Sequence, residues 1–373
     1  MKNRTIPFYP LSKVPRARRE RWKEEIAKVI DSGVFIGGSS VVEFEHSWAR
    51  QTGTPFAIGV SNGFDGLTLA LESIKLEPGS LVAVPSHTFI ATWTSVIRSG
   101  LVPIGVDVDD EGLLDLDEFE LVSSQVRAVI PVHMHGSMVN MHRLKEICKK
   151  SDIYIVEDAS QAHFALQRGK SAGSYGDLGV FSLYPTKNLG ALGDAGIITT
   201  SNKILYDNIM ELRSYGSSKD DKYEHRRMGY NQRLDSIQAA ILMVNLEYLE
   251  SDNRRRYEIA AHYQNELKYD FFSPLQQVSE GRVFHHYCLI SKYRDDLREY
   301  LLNKGVNTEI HYPNLAAIEV GAIQGRRSKV NFPNGERISK SSISLPISPW
   351  HSDNEIEYVI HTLKGYIPNS IRM

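Results

Sequence analysis

Between Pro15 and Gly33 the apolar residues Trp22, Ile26, Val29 and Ile30 recur one to four positions apart among charged neighbours. That spacing predicts an amphipathic helix over 15–32, stopped by Gly33. After residue 55 the pattern changes. Short apolar runs appear as FAIGV (56–60), LVAVP (81–85), LVPIGV (101–106), VRAVIPV (126–132), IYIVE (153–157) and GVFSL (179–183). Helical stretches lie between them at 64–75, 89–99 and 139–151, and GIITT (196–200) adds a further strand. The runs are apolar throughout rather than at every second residue, as strands covered on both faces are. This alternation predicts an α/β fold with a mostly parallel sheet between helices. One long helix is expected from about Leu234 to Leu267, leading out of that layer. From about Asp270 the segments shorten (FHHYCLISKY, DDLREYLLNKG, DNEIEYVIHTLKGY), which reads as a smaller α+β unit. The expected division is a large domain at 1–250, including the N-terminal segment, and a small C-terminal domain at 251–373.

At 373 residues the chain is too long for one compact core, in keeping with two units. A formal net charge of −2 offers nucleic acid or a membrane no bulk attraction, so neither is expected as a partner. The local run Arg254-Arg255-Arg256 sits in a polar helical stretch and is expected to be a solvated face. Cys148 and Cys288 are far apart and in no ligand spacing, so neither a disulfide framework nor a zinc site is expected. The basic N-terminus lacks an apolar core of signal-peptide length, and no run reaches the ~18–20 apolar residues of a span. A cytoplasmic protein is the resulting expectation.

In an open α/β sheet, ligands gather at the carboxyl ends of the strands. Four polar clusters sit there: SNGFDG (61–66), SHTF (86–89), DASQAH (158–163) and YPTK (184–187). Lys187 is followed by Gly190, Ala191, Gly193, Ala195 and Gly196, small residues expected to leave room around a lysine joined to a flat cofactor. An amine of lowered pKa can attack an aldehyde and then serve as a general base. Asp158 ends an apolar strand, where a carboxylate must be paired or hydrogen-bonded. The protonated ring nitrogen of pyridoxal phosphate is one such partner. Capping the next helix is another role, compatible with the first. Ser61–Phe64 opens a helix directly after a strand, a setting suited to an anion. Ser182 can add a hydroxyl there, and Phe89 is placed either on a ring face or in the core. His133 and His135 alternate as two metal ligands do, but no third ligand is near in sequence and no metal is expected.

Together these residues resemble the DegT/StrS-type sugar aminotransferases, which share the type I fold of the pyridoxal phosphate (PLP) enzymes with aspartate aminotransferase. The resemblance spans almost the whole chain. It runs from IPFYPL through SNGFDGLTLAL, VPSHTFIATW, PVHMHG, VEDASQAH, FSLYPTKNLGALGDAG and GYNQRLDSIQAA to HYP (311–313) and SLPISP (344–349). It implies pyridoxal 5'-phosphate as the cofactor, linked to Lys187 through an imine, with Asp158 on the ring nitrogen. It further implies Gln161 on the phenolic oxygen, Phe89 stacked on the ring, and Gly63, Phe64 and Ser182 on the phosphate. Asn231 would reach that phosphate from the partner subunit, which makes a homodimer with shared active sites. Gly66, Ser160 and Ala195 depart from the residues common in the family, and Ala195 raises the question of a positive φ at that turn.

The implied reaction moves an amino group from L-glutamate to a nucleotide-linked keto sugar. His163, Tyr184 and His311 are the expected sugar contacts. Lys222 and Tyr223, with His225, lie in a polar loop at 217–228 that either reaches the diphosphate from the neighbouring subunit or is a solvated segment. Details of the motifs resemble members that convert a dTDP-linked 3-keto-6-deoxyhexose to the 3-amino-3,6-dideoxyhexose, as in deoxyamino sugar biosynthesis. Three alternatives are a 4-keto acceptor, a PLP-binding sugar dehydratase and a non-catalytic regulator. Lys187 argues against the dehydratases, in which a histidine replaces the lysine.

Overall fold

The computed structural model describes residues 5–371 apart from 219, 220, 222, 269 and 324–330. Its first 200 residues hold β1 (Phe56–Val60), β2 (Leu81–Pro85), β3 (Val102–Val106), β4 (Ala128–Val129) and β5 (Tyr154–Asp158). After them come β6 (Leu166–Gln167), β7 (Lys170–Ser171), β8 (Leu178–Ser182) and β9 (Gly196–Thr200). β6 and β7 form a hairpin of their own, and the other seven make one sheet in the order β1-β9-β8-β5-β4-β2-β3. β3, β2, β4, β5 and β8 run parallel, while β9 lies antiparallel between β8 and β1. The mostly parallel sheet expected from the apolar runs is therefore present, with GIITT as the inverted strand.

Both faces are covered, which explains why the strands carry no polar alternation. Val82, Val84 and Val180 pack on one side with the helices Gly63–Ile74 and Ile90–Arg98. Their neighbours Ala83 and Phe181 face the other side, in two further clusters. VRAVIPV forms a ladder only at Ala128–Val129, because Pro131 has no N–H to donate to a strand.

The N-terminal helix Arg16–Ser32 ends at Gly33, which takes the left-handed conformation (φ 66°). It packs along the helix Ser236–Leu246, and the Trp22 Nε1–H donates to Asn245 Oδ1 at 2.8 Å. The single helix expected over 234–267 is in fact two, Ser236–Leu246 and Leu249–Glu266. No glycine or proline marks the break. It lies where tertiary contacts hold the chain: the Arg18 guanidinium lies 4.0 Å from the Tyr248 ring centre, and Asn245 Nδ2 donates to the Gly190 carbonyl at 2.8 Å. The Arg254–Arg256 run also differs from expectation. Arg254 pairs with Glu250 and Arg255 with Asp353, but Arg256 is buried and donates to the carbonyls of Phe284 (3.3 Å) and Ile347 (2.8 Å).

A second core gathers Ile259, Tyr263, Tyr287, Leu289, Leu297, Ile343, Leu345 and Val359 around β10 (Ser273–Pro274), β11 (Tyr287–Ile290) and β12 (Ser342–Leu345), an antiparallel sheet. We propose that residues 1–250 and 251–373 form the two units, with exchanges across that line. Ile6 belongs to the second core and bridges to Val306, while Ala316, Val320 and Phe332 pack in the first.

Candidate active site

The carboxyl ends of β1, β2, β5 and β8 converge on one cavity of about 460 Å³, lined by residues that include Asn62, Gly63, Phe64, Phe89, Asp158, Gln161, Ser182, Tyr184 and Lys187. The C-terminal part of the chain supplies His285, His286, His311 and Tyr312, and the N-terminal segment supplies Tyr9. Four loops that are distant in sequence thus meet at one point, as an open α/β sheet dictates.

Asp158 is 5% exposed. Its Oδ2 accepts from the Thr92 hydroxyl at 2.9 Å and its Oδ1 from the Ser160 amide at 3.2 Å. Among the described residues it has no ion-pair partner within 4.0 Å. A buried carboxylate with hydrogen bonds but no cation is incomplete, and a protonated pyridine nitrogen would complete it. Across the cavity wall, burial lowers the pKa of Lys187 to about 8, and the charge of Asp158 partly opposes that shift. Part of the lysine surface remains accessible to the cavity, so the amine is both desolvated and reachable. A larger share of it is unprotonated near neutrality than of an exposed lysine, and the free amine is the nucleophile.

At the other end of the cavity Asn62 caps the helix Gly63–Ile74, its Oδ1 accepting from the Asp65 amide at 2.8 Å. Asp65 would repel an anion, but Asn62, Arg98 and Gln232 all donate to its carboxylate at 2.7–2.8 Å. The helix N-terminus, with Gly63, Phe64 and Ser182 beside it, therefore keeps its affinity for negative charge. These residues fit pyridoxal phosphate. When bound, that cofactor supplies an aldehyde for the lysine and an electron sink held by the ring-nitrogen carboxylate.

Two of the small residues after Lys187 allow close backbone approach. A Cβ on Gly190 would lie 2.5 Å from the Pro185 carbonyl oxygen, and one on Gly196 would lie 2.5 Å from the Asn62 carbonyl carbon. They let the lysine turn close on itself and on the Asn62–Gly63 turn. Ala195 is buried and has no positive φ, so alanine is accommodated there.

The chain matches the DegT/DnrJ/EryC1/StrS aminotransferase family over residues 16–364. It belongs to that family. It is 37% identical over 364 residues to dTDP-3-amino-3,6-dideoxy-alpha-D-galactopyranose transaminase of Aneurinibacillus thermoaerophilus, covering 97% of this chain and 99% of that one. It is 36% identical over 348 residues to dTDP-3-amino-3,4,6-trideoxy-alpha-D-glucose transaminase of Streptomyces venezuelae, covering 92% and 91%. The crystal structure of S. venezuelae DesV in complex with a ketimine intermediate superposes with a TM-score of 0.93 at 34% identity, covering 99% of both chains. The aminotransferase is PLP-dependent and has the type I fold.

Within this aminotransferase the other expected site residues fall into three groups. Gln161 lines the cavity, its Oε1 accepting from the His135 amide at 2.7 Å and its Nε2 donating to the Tyr312 hydroxyl at 3.1 Å. Phe89, Tyr184 and His311 line it too, the first two about half exposed. His163 does not. It is fully buried behind the wall, where its Nε2 meets the Ser182 carbonyl at 2.9 Å and its ring packs against Trp48 and Phe181. Burial first, then the charge of Lys187, lowers its pKa to about 3. His163 thus packs behind the end of β8 and does not face the cavity, although Lys187, also five residues after a strand end, does. Asn231 is exposed and takes a bond from Arg233, away from its own chain's cavity, and Tyr223 is 78% exposed and also outside it. Lys222 lies outside the described residues.

Reading motifs alone passed over Tyr9, His285, His286 and Tyr312. Each stood inside a motif already noted (IPFYPL, FHHYCLI, HYP), but which side chain of a motif faces a cavity depends on packing between domains. His133 and His135 part company: His133 bonds the buried Glu157 at 2.9 Å, while His135 turns toward His286.

Proposed function

We propose that the enzyme transfers the amino group of L-glutamate to carbon 3 of a dTDP-linked 3-keto-6-deoxyhexose, giving the 3-amino-3,6-dideoxyhexose. The carrying observation is the buried, cation-free Asp158 sharing one cavity with a lysine of lowered pKa, the pair needed for amino transfer on PLP. A non-catalytic regulator has no use for either group. The acceptor reading rests on relatives whose names specify 3-amino dTDP-sugars and on a cavity wall of phenol and imidazole groups, Tyr9, Tyr184 and His311, suited to hydroxyls. Supplied with glutamate and each keto isomer separately, the enzyme should turn over the 3-keto sugar at least about 100-fold more efficiently, since a site built to bond a hydroxyl penalises an isomer that leaves it unpaired. NMR should place the new amine on carbon 3. Faster turnover of the 4-keto isomer would overturn the acceptor assignment.

The working form is proposed to be a homodimer with shared sites, Asn231 of one subunit reaching the cofactor phosphate of the other. Its exposed position away from its own cavity supports this. A dead Lys187→Ala chain mixed with a dead Asn231→Asp chain should regain activity in hybrid dimers, because one of the two sites then has both native residues. Mixed dimers no more active than either parent would sink the sharing.

A further inference from the structure

Behind the sugar-facing wall, six polar side chains form an unbroken row. The Tyr9 hydroxyl lies 3.0 Å from His286 Nε2, His286 Nδ1 lies 3.2 Å from His135 Nδ1, and His135 Nε2 lies 3.5 Å from Cys288 Sγ. Cys288 Sγ lies 3.1 Å from Ser344 Oγ, which lies 2.9 Å from His311 Nδ1. The row doubles back, since the His311 ring stacks on His286 with centres 3.8 Å apart. Of its inner members, His135, Cys288 and Ser344 are buried and outside the cavity lining, while the buried His286 and both ends, Tyr9 and His311, line the cavity. His135 holds a left-handed φ of 60°, uncommon for a residue with a side chain.

Every member is held uncharged. Burial drives the histidines down, His311 to about 3 and the others well below their ordinary value, with neighbouring cations and imidazoles adding to it. Burial also raises Cys288 to about 12 and pushes Tyr9 higher still. A neutral imidazole has one donor and one acceptor nitrogen. With both Nδ1 atoms facing each other, only one of His286 and His135 can carry its proton there. That choice propagates along the row and leaves two arrangements. In one, each group from Tyr9 to Ser344 donates to the next and the His311 Nε2–H faces the cavity. In the other, every bond is reversed and the Tyr9 O–H is the free donor.

We propose that this row is a proton relay that links two points of the active-site cavity, and the inference rests on the aminotransferase reading. A proton given up to the Tyr9 oxygen passes its neighbour's proton along each of the five bonds, and His311 Nε2 releases one to the cavity. One proton enters and one leaves, no group becomes charged, and the reverse passage resets the row. Amino transfer needs protons removed and returned at different atoms of its two substrates, and the relay joins two points of the cavity through buried side chains.

Histidine nitrogen NMR on the holoenzyme tests the coupling independently of turnover, with signals assigned through single histidine-to-glutamine variants. His135 and His311 should carry their proton on the same kind of nitrogen, and His286 on the opposite kind. Cys288→Ser keeps a donor and an acceptor and should preserve that correlation. Cys288→Ala, nearly the same size as serine but unable to bond, should break it and lower kcat by about tenfold or more while KM changes less than about twofold. Partial recovery of kcat in Cys288→Ser relative to Cys288→Ala supports the relay. Uncorrelated protonation in the native enzyme, or an unchanged kcat in a folded Cys288→Ala holoenzyme, would overturn it. Native enzyme that transaminates no sugar but keeps the correlation would refute the functional reading and leave the coupled row standing.

Discussion

Replacing Lys187 by alanine is expected to lower turnover by about 10⁴-fold or more, equivalent to roughly 5 kcal/mol of barrier, and to remove the absorbance of the lysine-linked cofactor. The loss follows from chemistry no other side chain offers: among the described residues lining the cavity, Lys187 alone carries a primary amine. Its surroundings also prepare it, since burial brings its pKa to about 8. The fold should survive, because the side chain is only partly buried and the turn is closed by backbone contacts, including the Lys187 amide donating to the Tyr184 carbonyl at 2.9 Å. Absorbance and circular dichroism of the purified variant check both halves. A cofactor adduct still trapped by borohydride would show that another amine forms the link.

Asp158→Asn should bind the cofactor yet turn over about 10²- to 10⁴-fold more slowly. The amide keeps an oxygen for the Ser160 N–H, and the Thr92 hydroxyl can reverse its bond, since Thr88 Oγ1 lies 3.1 Å away as an alternative partner. What is lost is the negative charge that keeps a ring nitrogen protonated, and with it the electron sink. Asp158 also raises the pKa of Lys187, so its removal makes the lysine a weaker base and leaves cofactor capture in place. The decisive measurement is kcat in variant protein whose bound cofactor has been quantified spectroscopically. Near-native turnover would reduce Asp158 to a residue that only caps the turn after β5.

Much of this was legible in order along the chain. FAIGV, LVAVP and GIITT became strands at the limits read from their apolar runs, since burial on both faces leaves a continuous signature. Lys187, Asp158, Gln161 and the Gly63–Phe64 turn were legible because each lies at or within five residues of a strand end, and the topology of a parallel sheet places such ends together. His163 is as close to its strand end as Lys187 is, five residues on, yet lies behind the wall while Lys187 lines the cavity. A strand end tells which loop borders the cavity, and the path of that loop decides which way its later side chains point.

The sequence by itself determined the layers, the strand ends and the chemistry they carry, because those depend on local periodicity and on residues close to one another in the chain. Only the tertiary structure decided what distant segments do when they meet. The break at Glu247–Tyr248 arises from contacts with the N-terminal helix and the lysine turn, and the burial of Arg256 from carbonyls some thirty and ninety residues away. The row from Tyr9 to His311 joins an N-terminal motif, a loop after β4 and two small-domain strands. Whether an imidazole is charged, and which nitrogen holds its proton, is set by burial and by hydrogen-bond partners, and neither exists until segments distant in the chain pack together.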